Sequence, residues 1–206
     1  MDNGWSLKWL HREILHSATW QQVSEADPVA EQKDPANQYL SHMNRRRLDF
    51  EPWRDAMLAA SGVLDLTMGG KSISLDQVGN HRRTLYGSVH RRDMSNTLLM
   101  HDFPDPTQHS PKRSQTTTAL QGLFLINGPL LAEQAGHLAD RLEKELPGQP
   151  QKKVARAYAL LFSRSPTTDE TRLALQFLGA EPSQQQERFK QYAQVLLSTN
   201  EFLYVD

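Results

Sequence analysis

Apolar residues recur at intervals of three and four through most of this chain, which is the spacing of amphipathic helices. Near the N-terminus the apolar positions Leu7, Leu10, Ile14 and Leu15 follow Ser6, a residue type that caps helices. The pattern therefore predicts a first helix that begins at Leu7.

Two more helices are predicted in the first third of the chain. Residues 21–33 are polar and are interpreted as a loop, and Asp34-Pro35 then provides a cap with proline in the first turn. A short helix that extends to Met43 is expected to follow. The next helix begins near Phe50 and ends at a glycine, as many helices do. Its buried side chains are expected to be Trp53, Met57, Leu58 and Ala60.

The helical period disappears from Val63 to Pro111. Two segments there, KSISL and TLYGSV, show the alternation and branched residues of short strands, so a small β-hairpin is predicted. The segment DFPDP is predicted to be a rigid loop, because each proline disfavours the α region in the residue before it. A short helix that ends at Met100 is expected just before this loop.

The remainder is predicted to be helical. Thr117 or Thr118 is expected to cap a helix that breaks at Gly128-Pro129 and then resumes. Ser183 with Gln186 resembles a capping box ahead of the last helix. Two further helices are predicted over residues 151–162 and 168–179. The fold class is therefore mainly α, a multi-helical single domain. It comprises N-terminal helices (1–62), an irregular loop or β-hairpin insertion (63–118) and a C-terminal helical part (119–206).

Composition narrows the class of protein. Apolar residues make up 38% of the chain, below the usual value of about 45–50%, yet four Trp and seven Phe favour a folded chain. The net charge of −1 provides no overall attraction for nucleic acid, which is not expected as a partner. The absence of cysteine excludes disulfides, thiolate nucleophiles and cysteine-ligated zinc. Neither a membrane span nor a signal peptide is predicted in this chain.

Five motifs stand in the same order as in a planctomycete-rich bacterial family of unknown function. They are WSLKWLHREILHSATWQQ, NRRRLDFEPWRDAMLAASGVLD with GG after it, DFPDP, KRSQTTTALQGLFLING and LLSTNEFLYVD. The chain resembles the C-terminal domain of large exported proteins of that family, the planctomycete surface domain, over nearly its whole length. Two departures are Ala119 and Gly122, where the family tends to have Pro and Ala, and His109, which lies near a position that is often Cys.

This resemblance implies a context rather than a reaction. A cytochrome-c-like module and a second uncharacterised domain usually lie upstream in the family, so both are expected partners. The parent protein is expected to be exported to the periplasm or cell surface, and this chain to be a fragment of that longer architecture. Because the family has no established activity, the resemblance supplies no catalytic residue.

A basic region is the first candidate for a functional site. Between residues 81 and 113, six Lys or Arg residues stand against three Asp residues. One guanidinium group can bind two oxygens of a sulfate, phosphate or uronate group at once. An anionic or sulfated polysaccharide is therefore a candidate ligand. The alternative is that the cations form ion pairs with nearby aspartates and fasten the loops to the helices. The candidate anion-binding residues are Arg45, Arg46, Arg47, Arg82, Arg83, Arg91, Arg92, Lys112 and Arg113.

No cofactor or metal is expected, although one loop contains weak candidate ligands. His101, Asp102, Asp105 and His109 have the side chains that bind zinc or iron. Prolines interrupt this loop, and the HExxH spacing of metalloproteases is absent.

Catalysis is not favoured either. Glu51, Asp55 and Asp65 form a carboxylate set, and a glycosidase needs two carboxylates about 5–10 Å apart. Glu51 and Asp55 share a helix face, but pairing with Arg47 and Arg54 is the favoured interpretation. No catalytic residue is predicted.

The four tryptophans could form a sugar-stacking platform or fill the core. Trp9 and Trp53 are predicted to be core residues because they lie in amphipathic helices, while the role of Trp20 stays open and Trp5 is unassigned.

These observations favour a non-catalytic structural or interaction module of an exported multidomain protein. Two alternatives stay open. One is binding of an anionic or sulfated polysaccharide through the arginine-rich region, and the other is docking of a cytochrome-c-like redox partner, guided by basic residues.

Overall fold

The computed structural model describes residues 3–179 and 181–205, except for the side chain of Pro182. Helices make up 52% of the described residues, which also contain one small two-stranded antiparallel sheet, so the predicted mainly α class is confirmed. The described residues of Met1–Arg47 and Tyr204–Asp206 form one compact unit, and Leu48–Leu203 forms the other. No described helix has both the length and the hydrophobicity that a membrane span requires.

The smaller unit contains two helices and the sheet. Helix α1 spans Leu7–Leu15 and is capped by the Ser6 hydroxyl, which accepts a hydrogen bond from the Trp9 amide at 3.2 Å. Helix α2 spans Pro28–Lys33. Strand β1 (Arg46–Arg47) pairs with β2 (Tyr204–Val205), with Arg46 opposite Val205 and Arg47 opposite Tyr204.

The second helix was placed wrongly by the sequence pattern. Asp27 caps it through its carboxylate, which accepts from the Val29 amide at 2.9 Å, and Pro28 occupies its first position. The predicted helix after Asp34-Pro35 is absent, and residues 34–43 form turns. Both positions have the same Asp-Pro signal, so local chemistry alone did not distinguish them.

Helix α1 contributes nothing to a core, since none of its residues is buried. The core prediction for Trp9 is therefore wrong: its side chain is 42% exposed. At 100° per residue, Trp9 lies on the side of the helix opposite Leu7 and Ile14, among polar residues. Trp5 and Trp20 are exposed as well, whereas Trp53 is buried as predicted.

Helix α6 is the centre of the larger unit and packs against helices α3 and α9. Leu131, Leu138 and Leu142 of α6 are fully buried, and each contributes about 1.5–3 kcal/mol by leaving water. The helices of this unit are α3 (Phe50–Ser61), α4 (Asn96–Met100), α5 (Ala119–Asn127), α6 (Pro129–Glu145), α7 (Pro150–Phe162), α8 (Thr168–Leu178), α9 (Pro182–Leu197) and α10 (Asn200–Leu203).

Helix α3 confirms its prediction. The expected core positions are buried, namely Trp53, Met57, Leu58 and Ala60. The helix ends at Gly62, whose φ of 81° lies in the left-handed region that glycine adopts at low cost.

The helix termini agree in part with the predictions. Thr118 and Gln121 form a capping box at the start of α5, and a second box opens α8. The capping box expected at Ser183 is wrong: α9 begins two residues earlier than this cap requires, with Glu181 at the N-cap position and no side-chain cap.

The insertion is irregular, and its predicted hairpin is wrong. The two segments meet only through an isolated parallel bridge between Ile73 and Gly87. A short 3-10 helix, Thr84–Tyr86, interrupts what would have been the second strand. Asp55 of α3 accepts a hydrogen bond from the Thr84 amide at the start of this 3-10 helix, so this amide is not available to a strand ladder.

Candidate functional site

Arg54 of α3 holds the insertion against the helical body. Its side chain is 2% exposed and donates to the carbonyls of Asn80 and Arg82, the latter at 2.9 Å, and to the Thr84 hydroxyl at 3.0 Å. Burial lowers the pKa of Arg54, and the negative charges of Asp55 and Glu133 oppose that shift. A buried guanidinium with these acceptors attaches residues 80–84 to α3.

Asp55, the next residue on α3, completes the attachment. Its carboxylate accepts from both the amide and the hydroxyl of Thr84 at 2.7 Å, and Arg83 approaches it at 3.5 Å. Asp55 is therefore engaged internally, as the interpretation of the carboxylates as ion-pair partners required.

Arg82 closes a second loop. Its guanidinium donates to the carbonyls of Thr67, Gly69 and Lys71 and lies 4.0 Å above the centre of the Tyr86 ring. The guanidinium group therefore already has four partners, three backbone carbonyls and one aromatic ring. Little of its hydrogen-bonding capacity is left for an external oxyanion.

A cleft of about 500 Å³ lies between α3 and the insertion. Arg113 forms a bidentate ion pair with Glu51 in its wall, with N to O distances of 2.7 and 2.6 Å. Burial would raise the pKa of Glu51, but hydrogen bonds from Arg113 and the backbone lower it below its usual value. The opposite charges cancel, so the cleft offers no net attraction to an anion. Its apolar lining consists of Pro52, Leu75, Leu85, Val89, Leu98 and Phe103.

The other predicted cations fall into two groups. Arg45, Arg46 and Arg47 belong to the smaller unit, where the last two form β1 and Arg45 donates to Ser24 at 3.4 Å. Arg91, Arg92 and Lys112 are exposed in the insertion, and so is Arg83 beside Asp55. Whether any of them binds an anion stays a prediction.

The weak metal candidates each have a structural neighbourhood of their own. His101 packs between aromatic rings, with its ring centre 4.8 Å from that of Phe50, and its Nδ1 lies 2.7 Å from the Thr97 carbonyl. The Asp102 carboxylate accepts from the amide and hydroxyl of Thr116. Asp105 accepts from Thr107 in a tight turn, and His109 is exposed. Within residues 3–179 and 181–205, these four do not form a group of three close ligands.

A different cluster does bring three potential metal ligands close together. His81 of the insertion and Glu133 and His137 of α6 place one ligand atom each within 4.8 Å of one another. His81 is the first residue of the basic segment, residues 81–113, but neither it nor the two residues of α6 was predicted to be a metal ligand. The available signal was the four-residue spacing of Glu133 and His137, which places both on one helix face.

Helix α1 presents the other candidate surface. Leu7, Leu10, Ile14 and Leu15 lie on one side of it and are between 43% and 68% exposed; these four residues are the α1 stripe. His11 lies between Leu7 and Leu15 on the same side, and Lys8, Arg12 and Glu13 occupy the flanks and the opposite side.

Comparison with known proteins gives one match. The family model PSD1, described as a protein of unknown function (DUF1553), matches residues 1–178. No curated protein matches the chain, and no solved structure matches it.

Proposed function

The chain belongs to the PSD1 family of unknown function (DUF1553), and from this premise we propose that it is a non-catalytic interaction module of an exported multidomain protein. The observation that carries the proposal is the α1 stripe. Helix α1 has four large apolar residues on one side, and none of its residues is buried. An apolar helix face of this kind is normally covered by the rest of the fold or by a partner.

The occupant that fits the α1 stripe is another polypeptide with an apolar groove. Residues spaced as Leu7, Leu10 and Ile14 are the anchors of helix-in-groove recognition. The flanking Lys8 and Arg12 favour a groove with acidic side chains on its rim. We assign that groove to the uncharacterised upstream domain expected in this family.

The contacts of the arginines weigh against the polysaccharide alternative. Arg82, Arg83 and Arg113 are engaged by backbone carbonyls or carboxylates of the same chain. An oxyanion would have to displace these partners, which are already ordered. Polysaccharide binding therefore depends on the exposed Arg91, Arg92 and Lys112. For the cytochrome alternative, the structure provides no observation beyond these charges.

Binding between separately purified proteins tests the proposal. We expect this chain to bind the upstream domain in biolayer interferometry, and a Leu10→Glu, Ile14→Glu double variant to bind at least tenfold more weakly, because each charge would have to enter an apolar groove. Far-UV circular dichroism checks that the variant stays folded.

A matched control adds the same charges elsewhere. Met68 and Leu85 are apolar and 88% and 75% exposed in the larger unit, so a Met68→Glu, Leu85→Glu variant should bind like the unaltered chain. No binding by the upstream domain, or equal weakening in both variants, would overturn the proposal. Self-association of the chain through α1, seen by sedimentation, would also overturn it, since the groove would then belong to a second copy.

A further inference from the structure

We propose that His81, Glu133 and His137 form a binding site for a divalent transition metal ion of the zinc type. The proposal concerns the larger unit alone and is independent of the function proposed for α1. Two imidazoles and one carboxylate form a donor set that suits zinc and its neighbours, and three protein ligands leave one coordination position for water.

Two of the three separations between donor atoms match such a site, and the third is at most 4.8 Å. Glu133 Oε1 lies 3.1 Å from Nε2 of His81 and 3.7 Å from Nε2 of His137. Donor atoms bonded to a tetrahedral zinc ion at about 2.1 Å lie about 3.4 Å apart, so the two measured separations bracket the required value. The two imidazole rings are perpendicular, with centres 5.2 Å apart. A metal ion would replace the contact that Glu133 now makes with both rings.

The surrounding structure holds the ligands in place. Glu133 and His137 lie one turn apart on α6, which is anchored by the fully buried Leu131 and Leu138. His81 lies between the two carbonyls that Arg54 binds, those of Asn80 and Arg82, and its own carbonyl accepts from the Asp65 amide at 2.9 Å. The backbone on both sides of the third ligand is thus fixed before a metal arrives, which lowers the entropy cost of binding.

The site is also accessible. The side chains of His81, Glu133 and His137 are 29%, 19% and 35% exposed. His137 lines a cleft of about 710 Å³ whose wall also contains Asp140 and Arg141. An ion can therefore enter from solvent, and a water molecule or a small anionic ligand can reach its open coordination position.

Titration with ZnCl₂ tests the site. Isothermal titration calorimetry of the purified chain should show one ion bound per chain with micromolar affinity or better. His137→Ala should weaken binding on the order of 100-fold, because one of three ligands is lost. His109→Ala is the matched control, since it removes an exposed histidine outside the cluster, and its affinity should equal that of the unaltered chain.

Cobalt provides a second measurement that needs no variant. CoCl₂ added to the unaltered chain should produce the strong visible absorption of a low-coordinate Co²⁺ site, and excess ZnCl₂ should abolish it. A spectrum identical to that of hexa-aquo Co²⁺ would overturn the proposal even if His137→Ala failed to fold. Equal zinc affinity in His137→Ala and His109→Ala would overturn it as well.

Discussion

Arg164 shows how one side chain can join two distant segments. It makes a bidentate pair with Glu170 of α8 at 2.8 and 2.9 Å, and a second pair with Glu201 of α10 at 2.6 and 2.8 Å. Hydrogen bonds from Arg164 are the largest cause that lowers the pKa of Glu170, to about 2. A carboxyl group whose pKa is lower in the folded state stabilises the fold only while it is ionised.

The pH dependence of stability should therefore contain a contribution from Glu170. Its stabilisation is complete above the unfolded pKa of about 4.3 and is lost as the pH falls towards about 2. We expect Glu170→Gln to lower the free energy of unfolding at pH 7 by about 1 kcal/mol, a figure reduced for solvent screening. Urea unfolding at pH 7, 4 and 3 should show this difference shrinking at low pH.

Glu187→Gln is the control, because Glu187 is 68% exposed and lies 3.6 Å from Lys190. Its unfolding curve should match that of the unaltered chain throughout the pH series. A difference between Glu170→Gln and the unaltered chain that stays constant from pH 7 to pH 3 would contradict the assignment to this carboxylate.

The insertion is an element attached mainly by a few polar side chains of α3 rather than by a sheet. Arg54 and Asp55 together contact the backbone of Asn80, Arg82 and Thr84. Each contact gives a partner to a partly buried polar group, and leaving such a group without one costs about 1–3 kcal/mol when it is fully buried. Two neighbouring residues of α3 therefore hold three backbone positions of the insertion.

Replacing Arg54 should loosen the insertion before the rest of the unit. We expect Arg54→Met to cost about 2–4 kcal/mol, since it strands buried carbonyl groups. Amide hydrogen exchange should accelerate between residues 63 and 118 and change less in α7 and α8. Arg92→Met, at an exposed position, should leave both the stability and the exchange pattern unchanged. Uniform acceleration along the chain would contradict local attachment.

The elements with strong periodicity were predictable, and those decided by distant contacts were not. Helices α3 and α6 have long apolar repeats and clear end signals, so their bounds follow from local chemistry. The hairpin was not predictable, because Asp55, about 30 residues away, binds the Thr84 amide at the start of the second segment, where a 3-10 helix forms instead of a strand. Helix α2 failed because two Asp-Pro pairs compete and only one is followed by a helix.

Of the candidate site, the sequence predicted that acidic residues pair with arginines, but not which residues meet in the fold. The ion-pair interpretation expected Glu51 and Asp55 to pair with Arg47 and Arg54, whereas the ion pairs of these two carboxylates in the structure are with Arg113 and Arg83. The proximity of His81 to Glu133 was not predictable, because 52 residues and three elements separate them in the sequence. The four-residue spacing of Glu133 and His137 can be read from the sequence of one helix, whereas the position of His81 depends on the tertiary fold.

At the scale of the whole molecule, positive charge is mostly used internally. The net charge is −1, and three arginines of the most basic segment, Arg82, Arg83 and Arg113, contact carbonyls, carboxylates or aromatic rings of the same chain. A field strong enough to attract a polyanion needs cations that face solvent without partners close by.

We therefore expect weak binding to sulfated polysaccharide. The purified chain should elute from a heparin column at or below about 0.15 M salt, where surface charges are already screened beyond roughly 8 Å. Retention well above that concentration, removed by Arg91→Ala with Arg92→Ala but not by Trp20→Ala, would instead support the polysaccharide alternative and contradict this expectation.

Arg54 of α3 and Arg82 of the insertion bind mostly backbone carbonyls of the insertion, and this has a consequence for divergence. A carbonyl oxygen is the same in every residue type, so Asn80 contributes to the Arg54 contact only through an atom that substitution cannot remove. The same holds for Thr67, Gly69 and Lys71 around Arg82. Among relatives, the loop could therefore exchange most of its exposed side chains and keep its path, provided that the two arginines and the residues with special backbone angles stay. The insertion is in this sense a surface that can change its chemistry without losing its shape.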